Sequence, residues 1–399
     1  MQGISPHSDL PPSSGPRRAS PTDLRIEPVS RSSQLADFIR VPIILYRDHP
    51  SFVAPINYEI RHRLNPRSNP YFDHADVQLW VAYRGSRPVG RISAQVDKLA
   101  IEHQRDLVGH MGFLDAVDDR EVFAALTAQA ERWLADKGMR RVMGPFNLSI
   151  NDECGLLVDG FDSPPAIMLG FNLPYARERL AELGYRKAKD LLGHIFDPAR
   201  PLSARAQQQI RRAQHLHRVR LRLGDVRRFR EEALLMGEIF NDAWSRNWGF
   251  VPVTDEEMIR LARDLRPLIK PELIHFVEID GEAAGMLVCL PDINDAIGDL
   301  RGALLPFGWV KLLWRLKVRG VRSARVPLMG LRKRYHRTAV GFAAMAQMLE
   351  AARIEMVRSG FRRVDVSWTL EDNLPMLHVF QAIGATRHKT YRIFEKQLI

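Results

Sequence analysis

Cysteine is nearly absent from this 399-residue chain: Cys154 and Cys289 are the only two. Neither sits in a CxxC or Cys/His spacing, which leaves no basis for a disulfide framework or a zinc site, so both are expected as small core residues and no metal is expected. Long apolar runs are missing too. No stretch reaches the roughly 20 apolar residues that cross a bilayer. Residues Met1 to Pro21 are rich in Ser and Pro and hold no apolar run of the kind a secretory signal requires. Residues 1–22 are therefore expected to form a disordered tail on a cytoplasmic protein. Acidic residues are the minority charge, 47 against 58 Lys and Arg, for a net charge of +11. Such a balance attracts an anion, whether nucleic acid, an acidic membrane surface or a phosphorylated cofactor, and does not choose among them.

With 45% hydrophobic residues at this length, the chain suffices for two domains that each bury a core. The longest apolar run is Ala303 to Leu316, ALLPFGWVKLLWRL, interrupted by Lys311 and Arg315 and followed by Lys317, Arg319, Arg322 and Arg325. That mixture predicts an interfacial segment, with core burial as the alternative.

The chain also repeats itself. Phe52-Val53-Ala54-Pro55 has a counterpart in Phe250-Val251-Pro252, and a strand, Gly turn and strand follow each, with Gly85 matching Gly281. Met111-Gly112-Phe113 matches Met329-Gly330-Leu331, each leading into a long amphipathic helix that stops at a glycine, Gly138 or Gly360. Asn172-Leu173-Pro174 then matches Asn373-Leu374-Pro375, opening a helix that closes at Gly184 or Gly384. The matches are 196 to 222 residues apart and in one order, which predicts two α/β modules of like topology, at 23–200 and 219–399, joined by a helical linker at 201–218.

The second copy carries LRKRYHRTAVG between an apolar strand and an amphipathic helix. This stretch, with the order of elements from about Val219 to Ile399, resembles the GNAT acyltransferase superfamily. The resemblance implies a fold of two tandem GNAT-like modules, each a mixed, mostly antiparallel sheet flanked by helices. It also implies that the pyrophosphate of an acyl-CoA rests on the loop at the start of that helix, on Leu331, Arg332, Arg334, His336, Arg337, Thr338, Ala339, Val340 and Gly341. There, unsatisfied N–H groups and the helix dipole favour an anion. The loop departs from the family at His336, which replaces an Arg or Gln, and at Ala339, which replaces a Gly. Asn373 matches the residue that meets the pantetheine arm. Phe380 stands where many members carry a Tyr acid, and the nearby His378 reads as a packed histidine. In the first copy Asp115, Asp118 and Asp119 stand in place of a glycine loop and are expected to repel a pyrophosphate, which assigns the donor site to the second module and a scaffolding or acceptor role to the first.

Two more stretches, Asn151-Asp152-Glu153-Cys154-Gly155 and Asn247 to Pro252 (NWGFVP), are similar to bacterial tandem GNAT proteins that include the bacterial ceramide synthases. From about Asp23 onward, that resemblance implies transfer of a fatty acyl group from long-chain acyl-CoA to the amine of a sphingoid base, 3-oxosphinganine. Glu153 or Asp152 is then the candidate base, with Asn151 orienting the amine or ketone oxygen; an Asx turn capping a local loop is the competing account of these residues. Lipid substrates give Ala303 to Arg325 a purpose: Leu304, Leu305, Phe307, Trp309 and Trp314 enter the interface while cations meet anionic head groups. No nucleic-acid partner is expected on this reading. Acylation of a small amine or amino acid, use of aminoacyl-tRNA as in Fem-type transferases, and a noncatalytic basic module that binds RNA or membrane stay open; the last needs more stacking aromatics than the single Tyr335 of the basic loop.

Overall fold

The computed structural model describes residues 24–214, 217–304 and 306–398. The expected tail at 1–22 and Leu305 lie outside them. The first repeat begins with β1 (Leu24–Pro28), α1 (Ser32–Tyr46), α2 (Asn57–Arg63) and α3 (Tyr71–His74). It continues through β2 (Ala75–Arg84), β3 (Arg87–Asp97), α4 (Lys98–Gln104), β4 (Val108–Ala116), α5 (Arg120–Asp136) and β5 (Arg141–Gly144). Three short strands follow, β6 (Phe146–Asn147), β7 (Glu153–Cys154) and β8 (Leu156–Asp159), before α6 (Tyr175–Glu182) and β9 (Arg186–Phe196). After α7 (Ala204–Gln214), the second repeat starts with β10 (Val219–Leu223), α8 (Phe229–Ala243), α9 (Asp255–Leu265), β11 (Ile274–Ile279) and β12 (Glu282–Pro291). It ends with α10 (Asn294–Ile297), α11 (Gly308–Trp314), β13 (Ser323–Leu331), α12 (Ala339–Arg358), β14 (Arg363–Asp365), β15 (Thr369–Leu370), α13 (Leu374–Ala382) and β16 (Thr386–Gln397).

Local chemistry accounts for the boundaries. Asp119 caps α5 by accepting from Glu121 N–H, and Thr254 with Glu257 forms a capping box on α9. Gly138 and Gly360, at φ +81° and +80°, adopt the left-handed conformation that ends the two long helices. Between β11 and β12, Asp280 and Gly281 both have positive φ, as a two-residue hairpin loop requires.

All strands but β6 and β7, which pair with each other, form one continuous sheet in the order β1-β2-β3-β4-β5-β16-β9-β14-β13-β12-β11-β10, with β8 on β16 and β15 on β9. The last strand of each repeat has crossed into the other's half: β16 pairs with β5, and β9 pairs with β14. The two strands pair antiparallel with each other at the centre. The repeats meet near residue 200 in sequence, but the sheet has no seam there. Helices α5 and α6 cover one apolar core of the first half, and α12 and α13 cover the matching core of the second. Cys154 and Cys289 are both buried in cores, as free thiols.

In each half the parallel pairing is brief. β4 and β5 share only Val108 to His110 against Arg141 to Met143, and β13 and β14 only Ser323 to Arg325 against Arg363 to Asp365. Beyond these residues the strands splay and leave a cleft.

Candidate active site where the repeats meet

The first cleft is filled. β6 lies against β4, and the Phe113 N–H that faces the cleft donates to Asn147 Oδ1 at 2.7 Å. The acidic residues expected to repel a pyrophosphate there do something else. Asp115 is buried between Arg91, at 2.7 Å, and the Tyr46 hydroxyl, at 2.8 Å. Asp118 pairs with Arg179, and Asp119 caps α5 and pairs with Arg84. Their charges are neutralised locally, so the first cleft is closed by bulk and not by repulsion.

The second cleft is open and bordered by apolar space. A cavity of about 120 Å³ lies between α7, α12 and α13, lined by Val326, Met329, Met345 and Val379 among others. On the other face of the sheet a cavity of about 190 Å³ runs beneath α8 and α9, lined by Met236, Phe240, Trp244, Leu328 and Trp368.

At the start of α12, Thr338 Oγ1 accepts from Gly341 N–H at 3.0 Å. The amides of Ala339 and Val340 have no acceptor among the described residues, which leaves the open N–H pair that an anion needs. The expected cationic charge is partly committed: Arg332 pairs with Glu238 at 3.1 Å and Arg334 with Glu282. Among the described residues no carboxylate lies within ion-pair distance of Lys333 or Arg337, and Arg337 is exposed at a positive φ of 59°. His336 turns back onto the Leu331 carbonyl at 2.8 Å. Gly341 is small for an internal reason, because a β-carbon there would overlap the Tyr335 carbonyl oxygen. Asn373 caps α13, with Oδ1 accepting from Met376 N–H at 3.3 Å. On that helix Phe380 takes the inward position, 3% exposed against His194, which leaves His378 exposed instead of packed.

Residues 151 to 153 sit where the two repeats touch. Asn151 Nδ2 donates to the Val251 carbonyl at 2.9 Å, and Gln104 Nε2 donates to the Gly249 carbonyl at 3.1 Å, so the NDECG and NWGFVP stretches adjoin. The Glu153 carboxylate is held by Asn147 Nδ2 at 2.9 Å and by Arg63 at 3.5 Å. Asp152 is different. Burial raises its pKa to about 6 despite the opposing pull of Arg63 and Arg260, so it exchanges a proton near neutrality.

Asp152 lines two cavities at once. One is the apolar space beneath α8 and α9; the other is larger, about 480 Å³, and reaches into the first repeat. Met168, Leu261 and Leu265 complete the shared wall. The far end of the larger cavity is lined by Leu304, Leu312, Leu313 and Leu316, around α11. Leu304 therefore faces this cavity, not an outer interface, whereas Phe307, Trp309 and Trp314 are 72%, 49% and 54% exposed. Among the described residues no helix is long and apolar enough to cross a membrane.

No family model matches the chain. The protein named bacterial ceramide synthase in Caulobacter vibrioides is 46% identical over 377 residues, covering 94% of this chain and 98% of that one. The chain belongs to the bacterial ceramide synthase family. A second family relative, protein YghO of Escherichia coli, is 41% identical over 373 residues, with 92% and 93% of the two chains covered. Among solved structures, a tandem GNAT protein from the clavulanic acid biosynthesis pathway superposes with a TM-score of 0.56 at 14% identity over 94% of this chain and 99% of that one. A GCN5-related N-acetyltransferase from Sphaerobacter thermophilus gives 0.51 at 12% identity over 95% and 96%. These two show the fold alone: this ceramide synthase family member folds like a tandem GNAT protein.

Two functional candidates escaped the sequence reading of this family member, Arg63 on α2 and Arg260 on α9. Both line the larger cavity beside Asp152. Their signal was present, since they occupy matching helices of the repeat about 200 residues apart.

Proposed function

We propose that this chain is an acyl-CoA-dependent N-acyltransferase that moves a fatty acyl group onto the amine of a sphingoid base, 3-oxosphinganine. The observation that carries the reading is the position of Asp152, a carboxylate tuned to about 6, in the wall between two apolar cavities. Two long chains with one reaction centre between them need that arrangement. On this reading the acyl chain lies beneath α8 and α9, the sphingoid chain fills the larger cavity, and the thioester sits in the cleft between β13 and β14. Asp152 takes a proton from the substrate ammonium. The neutral amine attacks the thioester carbonyl, whose oxygen is stabilised by N–H groups of the splayed half of β13. As the C–N bond forms and the C–S bond breaks, the thiolate leaves, and the proton shed by nitrogen neutralises it. No covalent enzyme intermediate arises.

The pyrophosphate of the donor rests on the free amides of Ala339 and Val340, with Lys333 and Arg337 supplying charge, and the pantetheine arm passes Asn373. Glu153 and Asn151 act as positioning residues, since both spend hydrogen bonds on holding the segment in place. The exposed aromatics at and beside α11, flanked by cations, dock peripherally on an anionic membrane from which the base is drawn.

Incubation of the purified protein with acyl-CoAs of several lengths and with 3-oxosphinganine, sphinganine and simple short amines tests this. The expected product is the long-chain amide of 3-oxosphinganine. Acylation of short amines alone, or no transfer from acyl-CoA, overturns the reading.

A further inference from the structure

Arg63 and Arg260 come from equivalent helices of the two repeats and converge on one cavity beside the candidate base. Both side chains are 12% exposed. Arg63 Nη2 reaches Glu153 at 3.5 Å and its Nε lies 3.4 Å from Glu59, whereas Arg260 Nη1 donates to Asp264 at 2.8 Å. Arg63 Nη1 and Arg260 Nη2 have no acceptor among the described residues, and the Nε–H of each is buried without a hydrogen bond. Withdrawing two guanidinium groups from water without using all their donors is costly. Five carboxylates line the same cavity, of which Asp115 is paired with Arg91 and the other four are Glu59, Asp152, Glu153 and Asp264. An anionic head group would be repelled by them, while an amine with neutral oxygen neighbours satisfies both sets: nitrogen toward the carboxylates, oxygens toward the arginines.

We infer that Arg63 and Arg260 form a clamp, one arm from each repeat, on the two oxygens that flank the reacting amine, so that the site selects a 2-amino ketone or 2-amino alcohol head over a plain alkylamine. The clamp rests on the acceptor assignment above and deepens it. In 3-oxosphinganine the amine carbon lies between the carbinol carbon and the ketone, which puts one oxygen on each side for one arginine each.

The decisive comparison uses the unaltered protein with 3-oxosphinganine, its 1-deoxy analogue and octadecylamine, reading kcat/KM for acylation and, separately, tryptophan fluorescence on binding without acyl-CoA. Loss of each oxygen is expected to weaken binding about tenfold or more, the scale of a hydrogen bond to a charged group. Arg63→Lys and Arg260→Lys keep the charge that the carboxylates need and lose the forked donors. Each should raise KM for 3-oxosphinganine about tenfold more than it raises KM for octadecylamine. Equal binding of the three amines by the unaltered protein, or parallel losses on both substrates in the variants, overturns the clamp. Discrimination in binding without any acyl transfer would uphold the clamp and defeat the transferase reading.

Discussion

The carbonyl oxygen of Phe146 occupies the place that a β-carbon on Gly112 would take. β4 can lie this close to the returning chain only because residue 112 has no side chain, and the contact seals the first repeat's cleft. Its counterpart, Gly330, faces the Trp244 ring instead, on the side of the cavity beneath α8 and α9.

One donor site per chain follows. Calorimetric titration with a non-hydrolysable acyl-CoA should give one equivalent bound. The pair Lys333→Ala and Arg337→Ala should weaken it about tenfold, since the exposed charges are screened in part. Asp118→Gly, on the sealed side, should leave affinity unchanged. Two equivalents, or a large loss in the Asp118 variant, would contradict the assignment.

Gly341→Ala should loosen donor binding indirectly, through the turn that carries Lys333. The added methyl group collides with the Tyr335 carbonyl and displaces the turn from Lys333 to Tyr335. Affinity for acyl-CoA should fall about tenfold or more while the thermal midpoint moves little, because only a surface turn shifts. Unchanged affinity would mean that the turn does not shape the site.

Asp152→Asn should abolish most turnover and at the same time stabilise the fold above pH 6. The folded-state pKa of about 6 exceeds the ordinary carboxylate value, so the folded chain holds this proton more tightly than the unfolded one, and stability is lost as pH rises through 6. Removing the charge should return on the order of 2–3 kcal/mol at pH 8, visible in urea unfolding. The acid limb of the kcat/KM profile near pH 6 should belong to Asp152, and Glu153→Gln should keep that limb while lowering the rate. A limb that persists in Asp152→Asn would move the base elsewhere.

His74 bridges the repeats, 3.1 Å from Asp97 and 3.2 Å from Glu257 on α9. Burial disfavours its charged form, but hydrogen bonds to both carboxylates outweigh burial and raise its pKa to about 9. The bridge therefore contributes fully below about pH 6.5 and is lost as pH rises through 9. His74→Gln should cost on the order of 2 kcal/mol at pH 6 and almost nothing at pH 9.5. Equal losses at the two pH values would show that packing, not charge, is at stake.

Membrane docking should need both tryptophans and anionic lipid. Flotation with anionic vesicles should weaken as added salt shortens the Debye length from about 10 Å at 0.1 M to about 3 Å at 1 M. Trp309→Ser with Trp314→Ser should reduce flotation and leave the fold and acyl-CoA binding intact, because both rings are about half exposed. Indifference of the unaltered protein to vesicles would overturn docking.

What could be read from the residues alone was what neighbours decide. Caps and stops such as Gly138 and Gly360 are local chemistry, and the two copies share one order because each obeys the same alternation of apolar positions. The exchange of β9 and β16 was illegible, since each strand keeps its place in its own repeat whichever neighbour it pairs with. Asp152 and Glu153 look alike in sequence; in the fold both line the larger cavity, and of the two only Asp152 also lines the second. Arg63 and Arg260 sit on short helices of separate repeats, and only the fold places both on one cavity. The acids at and after the end of β4 misled for the same reason, because Arg91, Arg179 and Arg84 arrive from elsewhere in the chain.

The crossed strands also set how this molecule can breathe. Two modules tied by a linker alone would open like a jaw, but here any rotation between the halves must tear backbone hydrogen bonds from β16 to β5 and from β9 to β14 at once. The space between the halves thus has a fixed gape. On the proposed assignment, traffic of two bulky chains falls to pieces at its rim, and α11, tied to the body among the described residues through Arg315 with Asp299 and the Ala296 carbonyl, borders the larger cavity.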